Sequence, residues 1–215
     1  EKKQYVVESN TVTIKAGERV AKFRMKGIYE NIDKTDSLSV TFNLLAKDEN
    51  VWDLYGTRTR VQMQKACPFE LSTFEGYCLL TSSFFSAYMT NTEHRLLQAE
   101  RDKTEDNTII LHDFFYKNYD LKIKYDPSDP LKPFVEFDDQ IIGSTAEAFG
   151  TIYGNGKLMC TQPVAYDSYY NVCQKFVFLY STIYVVGKGT VGTYVNILEW
   201  ISDEEAEQYK KEEGL

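Results

Sequence analysis

The clearest alternation of apolar and polar positions lies in residues 176–200. Two runs rich in Val, Ile, Tyr, Phe and Thr flank Gly187-Lys188-Gly189-Thr190, a pattern that predicts a long β-hairpin. In the first run Phe176, Phe178, Tyr180, Tyr184 and Val186 share one face, and Val177, Leu179, Ile183 and Val185 share the other. Both faces are apolar. The strand is therefore expected to be covered on both sides, in the middle of a sheet or a barrel wall.

Shorter alternations come earlier. Val12 and Ile14 alternate with polar neighbours, Ala16-Gly17 turns the chain, and Ala21, Phe23 and Met25 take up the period again. Leu38, Val40, Phe42 and Leu44 form a third run, and residues 57–64 a fourth with Val61 and Met63 inward. Period-2 runs with turns this frequent predict an antiparallel sandwich, with too few strands to close one. From residue 67 the further strand expectations are 76–83, 95–101, 108–112, 119–126, 134–137, 148–153 and 157–161. Turn chemistry separates them at Asp126-Pro127-Ser128-Asp129-Pro130 and Tyr153-Gly154-Asn155-Gly156. The tail changes character. Ser202-Asp203-Glu204-Glu205 is a capping box that opens a short helix to about Lys211.

Composition supports the same fold class. Aromatic residues make up 14% of the chain, with 16 Tyr and 13 Phe, which favours strands over helices. All five prolines and most tyrosines lie in residues 67–201, while residues 1–66 carry a net positive balance and the remainder carries the acidity. The expected organisation is all-β: an immunoglobulin-like partial sandwich over 1–66, a larger antiparallel barrel or sandwich over 67–201, and a helical tail over 202–215. The net charge of −8 opposes docking on nucleic-acid phosphates or anionic lipid, so neither is expected as a partner. No apolar run reaches the roughly 18 residues that a membrane helix requires. The first residues read as a strand entered mid-fold, so any targeting or lipidation signal is expected upstream of Glu1.

Little in the sequence carries chemistry. Gly187 to Gly192 matches G-x-G-x-x-G after a strand, but strand-forming Thr193, Tyr194, Val195 and Ile197 follow where a dinucleotide site needs a helix. A hairpin turn is the better reading. The two histidines, His94 and His112, lie at strand candidates with no nucleophile motif nearby. Asp126, Asp129, Glu136, Asp138 and Asp139 form the densest carboxylate group, without the register of a calcium loop. A paired-carboxylate glycosidase would need two of them to meet across a cleft. No catalytic, metal or cofactor residue is assigned.

Cys67 and Cys78 are 11 residues apart, and Cys160 and Cys173 are 13 apart; neither spacing suits zinc or a redox pair. Disulfides of an exported protein and buried thiols both fit. Cys160–Cys173 is the favoured bridge, because the loop between them can bring two antiparallel strands together. Tyr166, Tyr169, Tyr170 and Asn171 fall in a connection after Pro163. Rigid amphipathic rings beside hydrogen-bonding groups form a candidate platform for a sugar or a protein, unless they pack back beneath the loop.

A family resemblance follows from Cys67-Pro68-Phe69, Gly76-Tyr77-Cys78, Asp113-Phe114-Phe115-Tyr116, Glu147-Ala148-Phe149-Gly150 and residues 189–200. Residues 67–201 resemble a β domain of unknown function found in exported lipoproteins of Gram-negative gut bacteria. Val12 to Glu18, followed by residues 36–44, resembles the later strands of an immunoglobulin-like, Calx-β-type module, whose calcium-binding carboxylates have no clear match here. The resemblance implies a location at the cell surface or in the periplasm, with membrane contact only through a lipid anchor outside this chain. It also implies an association with glycan capture. Three functions are thus carried forward: a non-catalytic module that binds glycan or a surface protein, a barrel that holds lipid or another apolar ligand, and a carboxylate-based glycoside hydrolase.

Overall fold

The computed structural model describes residues 4–34, 36–46, 56–89, 92–130 and 132–213. The chain divides into two compact units, residues 1–66 and 67–215.

In the first unit β1 (Tyr5–Val7) pairs antiparallel with β2 (Met25–Gly27), and β3 (Ser37–Asn43) with β4 (Arg58–Gln64). The β3–β4 register sets Leu38 against Met63 and Val40 against Val61, as the alternation requires. Phe23 packs its ring edge-on against Phe42, 4.8 Å between centroids. The strand expected at 11–15 does not form, and of the run expected at 20–25 only Met25 enters a strand, as the first residue of β2. Among the described residues no strand pairs with residues 11–15 or 20–24, and Val12, Ile14 and Val20 stay exposed. An alternating pattern becomes a strand only where a neighbour supplies ladder partners.

The second unit contains β5 (Gly76–Ser82), β6 (His94–Arg101), β7 (Thr108–Leu111), β8 (Leu121–Asp126), β9 (Phe134–Glu136), β10 (Gln140–Ser144), β11 (Lys157–Thr161), β12 (Ser168–Asn171), β13 (Phe176–Val185) and β14 (Gly189–Trp200). All its pairings are antiparallel. The ladder β14–β5–β6–β7–β8–β9–β12–β13 returns to β14, so eight strands close into a barrel. Between barrel and sandwich, the structure is a barrel. The hairpin β10–β11 joins the far half of β13, where Cys160 lies opposite Ile183 and Met159 opposite Tyr184. Gly187 and Gly189 form the β13–β14 turn with φ of 75° and 107°, a backbone that favours glycine.

The barrel is filled from both ends by aromatic side chains. Before β5, a 3-10 turn at Leu71–Phe74 sends Phe74 inward. Phe74 is fully buried, with ring centroids 4.6 Å from Tyr125, 5.0 Å from Trp200 and 5.7 Å from Tyr170. After β5, α1 (Ser83–Tyr88) plugs the other end, starting where Ser82 Oγ accepts from the Phe84 backbone N–H. Phe84 stacks on Phe115 at 4.7 Å, and Phe115 contacts Phe114 at 4.4 Å. Between the plugs Leu80, Leu97, Leu111, Ile123, Leu179 and Leu198 occupy the middle. This packed interior removes the premise of the lipid-calyx reading, which needed an unfilled lumen.

Three further expectations are corrected. Residues 148–153 are not a strand: α2 (Thr145–Phe149) forms there, with a Ser144–Glu147 capping box and Gly150 as its left-handed terminator. Residues 168–171, expected as a connection, are β12. The favoured disulfide is also different, since Cys173 bonds Cys67, with Cα atoms 5.3 Å apart. Cys160 sits beside Ile183, whereas Cys173 precedes Phe176 at the other end of β13, a strand length on the order of 20 Å away. Cys78 and Cys160 are buried thiols, and burial pushes the Cys160 thiol up to about 12. The tail helix α3 (Asp203–Glu213) forms where the capping box places it and docks on β5, where Lys210 Nζ donates to Tyr77 Oη at 2.8 Å.

Cys67–Cys173 closes a loop of 106 residues, so its removal should cost about 2–4 kcal/mol of stability. Urea unfolding with and without reductant measures the loss. The drop should persist in Cys160→Ala protein; if that variant abolishes it, the bridge runs through Cys160 instead.

Candidate functional site

Along β13 the inward positions Val177, Leu179, Ser181, Ile183 and Val185 are buried, and the outward positions are only half covered. The expectation that both faces would be covered is therefore corrected. Neighbouring rings partly cover Phe176, Phe178 and Tyr180, and Tyr184 is hydrogen-bonded to Asp139.

The register explains how. Tyr169 lies directly opposite Phe134 on β9 and Phe178 on β13, and Phe178 in turn faces Ile197 on β14. Odd positions of β12 point outward, because Ser168 and Tyr170 point into the barrel. Tyr169 and Phe178 are stacked at 5.4 Å with planes 10° apart. Tyr166, in the loop after β11, stacks on Tyr180 at 5.0 Å and 21°. Phe178 and Tyr180 are 5.3 Å apart, joining the two pairs into one strip. Phe134, Tyr166 and Tyr169 are 36%, 52% and 40% exposed, so the strip is open to a ligand.

Polar groups border it. Tyr184 Oη donates to Asp139 Oδ2 at 2.7 Å, and the Thr182 and Thr193 hydroxyls meet at 2.8 Å. The hydrogen bond to Asp139 pushes the Tyr184 phenol above its ordinary value, while bonds from Thr161 and Tyr184 hold the Asp139 carboxyl below the usual carboxylate range.

The structure therefore divides the four residues expected to form a platform. Tyr166 and Tyr169 lie on the strip. Tyr170 does not: it is 3% exposed, packs against Phe74 and Tyr125, and burial raises its phenol pKa. Asn171 is the last residue of β12 and holds the turn that follows: its Nδ2 donates to Gln174 Oε1 and its Oδ1 accepts from the Gln174 N–H. Phe134, Phe178 and Tyr180 complete the strip and were not expected there. The alternation of β13 puts Phe178 and Tyr180 on one face, but only the strand register sets Phe178 and Phe134 beside Tyr169.

The remaining candidates are engaged locally. His112 lies between Asp120 at 3.0 Å and Glu100 at 3.4 Å, and His94 Nδ1 meets Thr81 Oγ1 at 2.8 Å. Asp126 Oδ1 accepts from the Ser128 N–H, and the Ser128 bonds lower its carboxyl pKa. Glu136 lies 3.8 Å from Lys124. A general acid of a glycosidase needs a raised pKa; Asp126 and Asp139 shift the other way. Among the described residues no group of three or more His, Cys, Asp or Glu side chains is placed to hold a metal ion.

Adjacent tyrosines on one strand should thus behave differently. Tyr170→Ala is expected to cost about 3 kcal/mol or more, as a large core truncation. Tyr169→Ala should cost about 1 kcal/mol or less, the value of a cross-strand pair. Thermal denaturation of the two variants checks this, and equal losses would mean that the faces of β12 are assigned wrongly.

No curated protein and no solved structure matches the chain significantly. Residues 54–212, most of the chain, match the family described as Domain of unknown function (DUF4984), and the chain belongs to that family.

Proposed function

We propose that this protein is a non-catalytic, exported binding domain that holds a glycan along the aromatic strip on its outer barrel face. The observation that carries this reading is the pair of exposed stacks, Tyr166 on Tyr180 and Tyr169 on Phe178. Rings held by neighbours lose little freedom on binding and offer apolar area to the C–H faces of sugar rings. The bordering hydroxyls and Asp139 supply hydrogen-bonding groups. The disulfide supports an oxidising compartment, hence the periplasm or the cell surface, with a lipid anchor outside residues 1–215 as the only membrane contact. The downward shifts of Asp126 and Asp139 speak against the glycosidase reading.

A glycan array on the intact protein and on a Tyr166→Ala, Tyr169→Ala double variant tests the reading. At about 0.5 to 1.5 kcal/mol per ring, the double change should weaken binding roughly five- to a hundredfold. Array binding unaltered by the double change would place the site elsewhere. A wild-type protein that ignores glycans but binds a surface protein through these rings would replace the glycan with a protein partner.

A further inference from the structure

The barrel wall changes strands midway, and the change leaves a gap. β9 ends at Glu136 and β10 begins at Gln140, while β11 ends at Thr161 and β12 begins at Ser168. Side-chain amides bridge what the backbone cannot. Gln140 Nε2 donates to the Lys122 carbonyl and its Oε1 accepts from the Lys122 N–H, both at 2.8 Å, so one side chain substitutes for a strand partner of β8. Gln162 Oε1 likewise accepts from the Phe137 N–H at 3.2 Å.

Between these bridges lies a cleft of about 450 Å³. Its floor is formed by the wall itself: Phe137 is 9% exposed there, while the Ile123 side chain points into the lumen and is fully buried. Its rim carries Lys122, Lys124, Glu136, Asp138 and Gln162. The rim charges are largely matched: Lys122 pairs with Asp102 and reaches Glu105 at 4.0 Å, and Lys124 faces Glu136. Two groups have no partner among the described residues, the Asp138 carboxylate and the Gln162 Nε2 amide.

We propose that this cleft binds one residue of a neutral sugar, with Asp138 accepting from one ring hydroxyl and Gln162 Nε2 donating to another, beside the edge of Phe137. The matched lysines leave no free cation for a phosphate or a carboxylate, which disfavours an anionic ligand. An acceptor and a donor lining one cleft complement hydroxyls, which both give and accept hydrogen bonds. The exposed edge of Phe137 supplies an apolar contact for a pyranose C–H group, and the volume lies in the range of small-molecule sites. The inference rests on the glycan reading and deepens it: the strip holds a chain, and the cleft selects one of its residues.

Solution NMR on the intact, 15N-labelled protein tests the cleft separately from the strip. The probes are glucose, galactose, mannose, N-acetylglucosamine and N-acetylgalactosamine, each taken to high millimolar concentration, with inorganic phosphate and glucuronate as charged counterparts. At least one neutral sugar should produce saturable shifts in the Gln162 side-chain amide and the Phe137 and Asp138 backbone amides. Gln162→Glu keeps the acceptor that holds the Phe137 N–H but loses the donor. It and Asp138→Ala should each weaken that sugar about tenfold or more, in spectra that otherwise keep the native dispersion. The cleft proposal is overturned if no sugar gives saturable shifts, if only phosphate or glucuronate does, or if the two cleft variants bind like wild type. In each case an array signal still lost in the tyrosine variant leaves the strip reading standing. Cleft shifts beside an array signal indifferent to the tyrosines would instead retire the strip.

Discussion

An eight-stranded barrel encloses a lumen that water should not occupy and that strand side chains alone must fill to crystal-like density. This one meets the constraint with aromatic rings supplied largely from outside its strands. Phe69 and Phe74 enter at one end from the segment before β5, meeting Tyr125, Tyr170 and Trp200. The Cys67–Cys173 bridge ties the start of that segment to the β12–β13 turn at the same end, so the plug cannot swing clear without unfolding the turn as well. At the opposite end Phe114 and Phe115 come from a loop bounded by Asp113 and Asn118, whose φ values of 54° and 68° are left-handed. Asp and Asn are among the non-glycine residues that best tolerate that region. The Asp113 carboxylate accepts from the Asn118 N–H and closes the loop.

Among the polar groups buried in this interior, an amide fixes the register of β14. Asn196 is fully buried; its Oδ1 accepts from Ser82 Oγ at 2.6 Å, and its Nδ2 donates to the Leu179 carbonyl and to Ser181 Oγ. Those partners lie on β5 and β13, the two strands that flank β14. A slip of one residue would turn Asn196 outward, break all three bonds and bring the outer face of β14 into the lumen. The same constraint keeps Ile197 and Val195 outward, next to Phe178 and Tyr180. The aromatic strip is thus held in place by an amide on the opposite face of the wall.

The parts of the fold legible in the sequence are those whose signal is local. The long hairpin, Lys157–Thr161 and the tail helix each announce themselves through alternation or a capping box. Ser144 to Glu147 carries the same capping signal as Ser202 to Glu205, and Gly150 ends the helix, but aromatic-rich neighbours made the stretch resemble a strand. β12 was obscured because Tyr169 and Tyr170 are the same residue type on opposite faces, so composition concealed the period. The disulfide was not legible from spacing. It joins residues 106 apart, and only the closed ladder shows that Cys160 and Cys173 lie at different ends of β13. Tyr166 and Tyr169 could be found from sequence, whereas Phe134 and Phe178 required the register that sets them beside Tyr169.

Polarity across the wall also bears on where such a domain works. Its inner face is apolar. Its outer face carries Gln98 and Glu100 on β6 and Lys122 and Lys124 on β8, and turns aromatic only from β9 through β14. A barrel that spans a membrane has the reverse arrangement, with an apolar belt outside and polar groups within. The aromatic sector is therefore a local feature of an outer face that is polar on β6 and β8. The break between β9–β12 and β10–β11 falls in this sector as well. Where strands exchange partners, backbone donors and acceptors lose their ladder, and the side chains of Gln140 and Gln162 take their place. A wall repaired by side chains rather than backbone is thinner there and carries free polar atoms beside core residues. In a barrel packed with side chains, this break is a place where a cleft of the outer wall is lined by the core residue Phe137.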